Sequence, residues 1–387
     1  MSDNGSTNGS TPGTDTLISE AAKARAAALP KGTVTLEING KTVTVPEHFT
    51  LWEAAKAQGI GVPVLCHDPR LEPAGVCRMC VMEVEGARTL VASCVRQCEE
   101  GMKVQTDSPA VKRNRKVLTE LMMADQRDGS ARESQTGDDE LFDLARELDA
   151  DGNRWPEGNG RPTDDSSAVI AVDHQACILC DRCIRACDDI QSNMVIGRTG
   201  KGYSARIGFD LDGAMGASTC VECGECVSSC PTSALTNKVI TVDPKPAQDL
   251  KPVDSVCPYC GVGCAISYFV DEKANSVVYA EGRTPSAQEG RLCVKGRYGF
   301  DYPNHPHRLT KPLIRKESHY PKGLLTADMQ GKSDGKRRKR VYADYENALD
   351  AFREATWEEA LDLVASKLSK IRDESGPSAL AGFGSAK

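Results

Sequence analysis

The pattern Cys-x-x-Cys-x-x-Cys-x-x-x-Cys occurs twice in this chain, at residues 177–187 and again at 220–230. Such a duplication marks an internal repeat of a small metal-binding unit. Three close cysteines with a remote fourth imply that each half lends one ligand to the other half's site. Cys177, Cys180, Cys183 and Cys230 then form one set, and Cys187, Cys220, Cys223 and Cys226 the other. Pro231 after Cys230 completes the run of two-cluster bacterial ferredoxins, so each set is expected to hold a 4Fe-4S cluster. The first half departs only in Asp188, which stands where a proline often follows the fourth cysteine.

Sixteen of the seventeen cysteines divide into four sets of this size. Cys66, Cys77, Cys80 and Cys94 lie in a loop after a hairpin and helix, where thiolates can surround a 2Fe-2S cluster. A zinc site also favours Cys-x-x-Cys, but zinc ribbons set two such pairs and this segment has one. Cys98 follows four residues later and is not needed once four ligands are in place. The last set is Cys257, Cys260 and Cys264 with Cys293 far downstream. Its interposed Gly261 and Gly263 let backbone amides approach sulfur, as a third 4Fe-4S cluster requires.

Composition supports metal over disulfides. No secretory leader, twin-arginine pair or run of about 20 apolar residues is seen, so the chain is expected in the cytoplasm with no membrane contact. In that reducing compartment dense Cys-x-x-Cys reads as metal ligation. Aromatic residues make up only 5%, so much of the stability is expected from bound metal, and its removal should unfold whole modules. The net charge of −7 offers no general attraction to nucleic acid, and none is expected as a partner.

The expected order of domains is as follows. Residues 1–30, rich in Ser, Thr, Gly and Asp, read as a disordered tail. In the 31–110 domain, Val34–Ile38 and Thr42–Val45 alternate in polarity around Asn39-Gly40, the signal of a β-hairpin. Thr50-Leu51-Trp52-Glu53 has capping-box spacing and opens a helix over 51–58, which Gly59 stops. Residues 111–170, cysteine-free, read as a spacer, part helix from the helix-like run Val117, Leu118, Leu121 and Met122 and part mobile acidic loop. A double ferredoxin domain at 171–245 and the fourth cysteine set at 250–315 follow. Residues 316–387 hold a basic loop around Lys336–Arg340 and an amphipathic helix carrying Trp357, Ala360, Leu361, Val364, Leu368 and Ile371. Leu380–Lys387 reads as a strand entering a glycine-rich loop, so a domain is started and not finished.

Gly75-Val76-Cys77-Arg78-Met79-Cys80 resembles the two-iron domain at the head of the electron-input subunits of respiratory NADH dehydrogenase, iron hydrogenases and NAD-linked formate dehydrogenases. Residues 257–264 with Leu292–Arg297, His307–Leu309 and Pro312–Arg315 resemble the opening of molybdenum- or tungsten-bis-pyranopterin oxidoreductases, formate dehydrogenases above all. From about residue 33 onward the chain is similar to the N-terminal part of the alpha subunit of a cytoplasmic NAD-dependent formate dehydrogenase. The resemblance implies an α+β, multidomain fold. Its parts are a β-grasp two-iron domain, a two-cluster ferredoxin module, an iron–sulfur domain and the start of an α/β catalytic domain. It further implies a tungsten- or molybdenum-bis-molybdopterin guanine dinucleotide in the complete subunit. The implied partners are the remainder of the alpha subunit and a beta subunit that carries FMN, NAD and its own iron–sulfur clusters. Lys295 matches the lysine that lies between cluster and pterin in that family and assists electron transfer. No catalytic residue of that family falls within the chain.

Two other readings stay open: a stand-alone electron carrier, and the large subunit of a respiratory NADH dehydrogenase or hydrogenase. The double ferredoxin repeat, and the absence of cysteine across 121–170 where many relatives bind a His-ligated cluster, are taken to argue against the respiratory enzyme. The expected inventory is one 2Fe-2S and three 4Fe-4S clusters.

Overall fold

The computed structural model describes residues 32–126, 129–158, 160–238, 245–305, 308–316 and 348–382. The expected tail and the basic loop around Lys336–Arg340 lie outside them. Two units divide the chain, Met1–Asp301 and Tyr302–Lys387.

In the first unit, β1 (Thr33–Ile38) and β2 (Lys41–Pro46) pair antiparallel with Ile38 opposite Lys41. Asn39 and Gly40 between them take φ 50° and 79°, the double left-handed step of a type I′ turn. Helix α1 (Leu51–Ala57) carries the expected capping box: Thr50 Oγ1 accepts from the Glu53 N–H, and the Thr50 N–H donates to Glu53 Oε2 at 2.8 Å. Strands β3 (Val81–Val84), β4 (Val91–Ala92) and β5 (Lys103–Gln105) complete a mixed sheet in the order β2-β1-β5-β3-β4, with β1 and β5 parallel. Leu36, Ile38, Val45, Leu51, Ala54 and Met82 form its core, into which Cys80, Cys94 and Cys98 also pack.

The cysteine-free segment is built differently from the expectation. Helix α2 (Pro109–Met123), capped by Ser108, turns Val111, Arg115, Thr119 and Met123 inward and leaves Leu121 exposed. The buried Arg115 is tolerated because its guanidinium donates to the Met79 carbonyl at 3.0 Å and the Val81 carbonyl at 2.9 Å. Short helices α3 (Ala131–Gln135) and α4 (Glu140–Glu147) follow. Asp139 Oδ1 caps α4 through the Leu141 and Phe142 amides. Leu141, Leu144 and Met123 then share one apolar cluster with Leu65, Cys66, Cys77, Met79 and Cys180. The spacer thus fills the space between the first cysteine set and the ferredoxin repeat.

The repeat itself is framed by β6 (Thr163–Asp164), β7 (Ile170–Asp173) and β10 (Leu235–Asn237), and by the hairpin β8 (Ile196–Thr199) and β9 (Arg206–Phe209). One short helix in each half follows the second cysteine: α5 (Arg182–Arg185), which continues as a wider turn through Ile190, and α6 (Glu225–Ser229). A meander of β11 (Lys251–Val256), β12 (Ala265–Asp271) and β13 (Ser276–Gly282) then leads to α7 (Val294–Tyr298).

In the second unit β14 (Leu313–Arg315) pairs with β15 (Phe352–Glu354), and Thr356 caps the expected helix, α8 (Trp357–Ser375). Its apolar stripe, Trp357, Leu361, Val364 and Leu368, is exposed. Leu380–Gly382 forms no strand, because Pro377 opens a 3-10 turn after Gly376 ends the helix. The rest of the expected glycine-rich loop lies outside the described residues. No described helix is long and apolar enough to cross a membrane.

Leu141 is fully buried at the centre of the plug between the first cysteine set and the repeat. Leu141→Ala is expected to cost about 2–5 kcal/mol, read as a lower denaturant midpoint. An unchanged midpoint would show that the plug contributes no packing.

Candidate metal centres

The first set is gathered by a loop and two strand ends. Cys66 lies in the coil after α1, Cys77 and Cys80 bracket a turn ahead of β3 in which Arg78 takes φ 62°, and Cys94 follows β4. All four are buried, at 6% exposure or less. The Cys66 N–H donates to Cys77 Sγ at 3.3 Å. Hydrogen bonds from the Cys77 and Cys94 side chains draw the Cys66 thiol down to about 2. The same sharing with Cys66 pushes Cys77 and Cys94 upward. A bond with Cys94 brings Cys80 to about 6. Two of the four thiols are thus lowered and two raised, an arrangement that a bound cationic centre would relieve by taking all four as thiolates. Cys98 stands apart: burial raises its thiol to about 11, and Glu53 rather than another cysteine is the charge acting on it.

The two halves of the repeat fold alike. Leu179 and Asp181 take φ 53° and 62°, and their counterparts Glu222 and Gly224 take 53° and 77°. These left-handed steps wrap each Cys-x-x-Cys loop so that amides turn toward sulfur, as the Glu222 N–H does toward Cys220 Sγ at 3.3 Å. The charge of Cys230 acts on Cys177, Cys180 and Cys183. The charge of Cys187 acts on Cys220 and Cys226. Cys230 therefore lies near the first half's three close cysteines, and Cys187 near Cys220 and Cys226 of the second. Burial pushes the Cys177 thiol up to about 11 and those of Cys183 and Cys226 well above the ordinary value. Ionising thiols there is costly without a metal to share the charge.

The fourth set closes the β11–β12 hairpin. The Cys257 N–H donates to the Cys264 carbonyl at 2.9 Å, and Cys293 caps α7. Burial and the charges of Cys257, Cys260 and Cys293 raise Cys264. Unlike the others this set opens to solvent, with Cys260 and Cys293 exposed. Lys295 lies two residues beyond Cys293 on α7, exposed.

Among the described residues no three or more His, Cys, Asp or Glu side chains are arranged around a single metal ion. Zinc requires its ligands to converge on one point at about 2.3 Å, whereas a polynuclear cluster needs a wider cage of thiols. The four thiols of each set are the donor type that an iron–sulfur cluster takes.

Cysteine spacing gives no hint of the arginines that surround these sets. Arg161 donates to the Cys177 carbonyl at 3.0 Å, Arg132 to that of Cys230 at 2.8 Å and Arg297 to that of Cys223 at 2.9 Å. Arg185 reaches the carbonyls of Cys66 and Cys180. Guanidinium groups thus line the cysteine backbone, where fixed positive charge would offset a polyanionic centre. The one signal in the sequence is arginine inside a cysteine repeat, at 182 and 185.

Glu225, fully buried between Cys223 and Cys226, ties the modules together. Its Oε2 accepts from Arg70 at 3.0 Å, and its Oε1 from Arg297 at 2.6 Å and the Leu292 N–H at 3.2 Å. Arg70 also pairs with Asp68 at 2.9 Å, so one carboxylate joins the 2Fe-2S-type domain, the repeat and the fourth set.

Comparison with known proteins gives a matching order of domains. Residues 31–109 match a 2Fe-2S iron-sulfur cluster binding domain, and residues 167–236 the ferredoxin-like domain of NADH-quinone oxidoreductase subunit 3. Residues 250–305 match the molybdopterin oxidoreductase Fe4S4 domain, and 308–387 molybdopterin oxidoreductase. Similar curated proteins include the probable oxidoreductase YjgC of Bacillus subtilis, 26% identical over 92% of this chain and 36% of its own length. The NADH-quinone oxidoreductase G subunit of Mycobacterium tuberculosis is 32% identical over 76% of this chain and 36% of its own length. The crystal structure of an NAD+-reducing [NiFe]-hydrogenase chain superposes with a TM-score of 0.50 at 26% identity, covering 56% of this chain and 96% of the other. The chain spans about a third of the length of the curated relatives it matches.

These findings correct one expectation. The ferredoxin repeat matches a domain of NADH-quinone oxidoreductase itself, so it does not argue against likeness to the respiratory enzyme. What the comparisons support is the coarser statement: an iron–sulfur electron-transfer module of molybdopterin-oxidoreductase type, similar also to the G subunit of NADH-quinone oxidoreductase and to NAD+-reducing hydrogenase.

Glu225→Ala leaves Arg297 buried without its carboxylate, an uncompensated charge that costs about 3–5 kcal/mol. The expected result is a lower unfolding midpoint of the metal-loaded chain. A midpoint equal to that of the parent would show that the junction is not held by this pair.

Proposed function

We propose that this chain is the electron-carrying head of a larger formate dehydrogenase alpha subunit. It would pass electrons singly between a tungsten- or molybdenum-bis-molybdopterin site in the remainder of that subunit and a flavin/NAD beta subunit. The observation that carries the reading is the exchange of cysteines between the two halves of the repeat, flanked on either side by a further four-thiol set. The first set would hold the 2Fe-2S cluster, and the sets of Cys177, Cys187 and Cys257 a 4Fe-4S cluster each. Bound clusters supply one-electron carriers between two-electron chemistries at the pterin and the flavin. The chain's own residues hold the thiolates, shield the first three sets from water and place arginines against the cysteine backbone.

Formate as the substrate of the complete subunit rests on the resemblance carried by Cys257–Cys264, Leu292–Arg297 and Pro312–Arg315. Its oxidation to carbon dioxide yields one proton and two electrons, which the wire delivers one at a time. The cytoplasm, which keeps free thiols reduced, is the compartment that suits such a chain.

A second reading, part of the large subunit of an NADH-quinone oxidoreductase, is favoured by the match over 167–236 and by the 32% identical relative. The two differ in what the complete protein contains. The first requires pterin-bound tungsten or molybdenum and formate-dependent NAD reduction, the second neither.

Anaerobically purified chain should contain about fourteen irons with matching acid-labile sulfide, and EPR should show one 2Fe-2S and several 4Fe-4S signals. A colourless or zinc-filled preparation would reject the cluster assignment. In the complete enzyme, Lys295→Ala should slow formate-dependent NAD reduction while leaving iron content intact. Unchanged turnover would make Lys295 an ordinary surface lysine.

A further inference from the structure

The two halves of the repeat are alike in backbone but opposite in charge. Aligned on their cysteines, Arg182 of the first half corresponds to Glu225 of the second, and Arg185 to Ser228. In the first half, the Arg185 guanidinium sits on the carbonyl of Cys180, the half's second cysteine, at 3.4 Å. It also donates to the carbonyl of Cys66 in the first set at 2.5 Å. Arg182 runs parallel, donating to the Leu65 carbonyl at 3.4 Å.

In the second half the corresponding seat is taken from outside. Arg297 of α7 donates to the carbonyl of Cys223, again the half's second cysteine, at 2.9 Å. Ser228, where the first half carries its own arginine, accepts from the same guanidinium at 2.6 Å. The seat is cut to fit: a Cβ on Gly224 would lie 2.2 Å from Arg297 Cδ. The backbone N–H of Arg297 in turn donates to the carbonyl of Cys293 at 3.1 Å.

We infer that Arg185 and Arg297 are paired positioning residues, one at each end of the repeat. Each couples a cysteine of the repeat to a cysteine of the neighbouring set, Arg185 through its guanidinium and Arg297 through its guanidinium and backbone amide. The electron route this assigns runs from the Cys66 set through the Cys180 set and the Cys223 set to the Cys293 set. A guanidinium held between two reduced clusters stabilises the added electron on either, raising both potentials together. One terminal nitrogen of Arg185 serves both cysteine carbonyls while the other donates to the Glu72 carbonyl, so the planar fork spans three acceptors, a geometry that a lysine does not reproduce.

The inference rests on the four-cluster reading, and the test separates the two. The full 387-residue chain, loaded anaerobically with iron and sulfide, is titrated with reductant and followed by EPR. Absence of a 2Fe-2S signal alongside 4Fe-4S signals in the parent chain would reject the cluster reading before any variant is compared. In Arg185→Gln, the midpoint of the 2Fe-2S centre and of one 4Fe-4S centre should fall together. In Arg297→Gln, two 4Fe-4S midpoints should fall while the 2Fe-2S midpoint stays. Arg185→Lys, which keeps the charge and loses the fork, should hold iron and the parent midpoints yet show weaker spin–spin broadening between the two reduced centres. Should Arg185→Gln lose iron, Arg185→Lys alone decides. Unshifted midpoints with iron retained, a 2Fe-2S shift in Arg297→Gln, parent-like broadening in Arg185→Lys, or loss of iron in that variant would each overturn the proposal.

Discussion

Buried thiol groups that must carry negative charge govern this molecule. A thiol enclosed by apolar side chains resists ionisation, and the repeat encloses several of them almost completely. A bound cationic centre would let such thiols ionise together, which would couple metal binding to the folding of these modules.

The protein answers that charge on two levels. At the sulfurs, backbone amides turn inward through left-handed residues such as Leu179, Asp181, Glu222 and Gly224. Behind the cysteines, arginines from distant segments sit on the carbonyls. Those arginines have carboxylates in turn: Arg132 pairs with Asp138, Arg297 with Glu225 and Arg161 with Asp125. Burial raises Asp138, but the pairing with Arg132 outweighs it and holds the carboxyl below its ordinary value. Guanidinium and carboxylate alternate behind the cysteines, and with the apolar cluster around Leu141 they tie three modules into one unit.

Much of this is legible in the residue pattern. The hairpin turn at Asn39-Gly40 and the capping box at Thr50 and Glu53 rest on local geometry, which acts within a few residues. The helix that opens the spacer is legible in its apolar run, but its inner face is not, because that face contains Arg115, a residue that hydropathy assigns to solvent. Only the carbonyls of Met79 and Val81, more than thirty positions earlier, make that burial tolerable. Periodicity likewise marks the helix from Trp357 to Ser375 but not the exposure of its apolar stripe, since a stripe defines a face and not what covers it.

In what order the modules follow is written in the residues themselves, because cysteine motifs and turn chemistry are short-range properties of the chain. How the modules meet is settled by the folded arrangement alone. Arg70, Arg185, Glu225 and Arg297 gain their meaning from partners on other segments, brought near by folding. A charged side chain looks like surface until the fold removes water from around it and supplies its counter-charge.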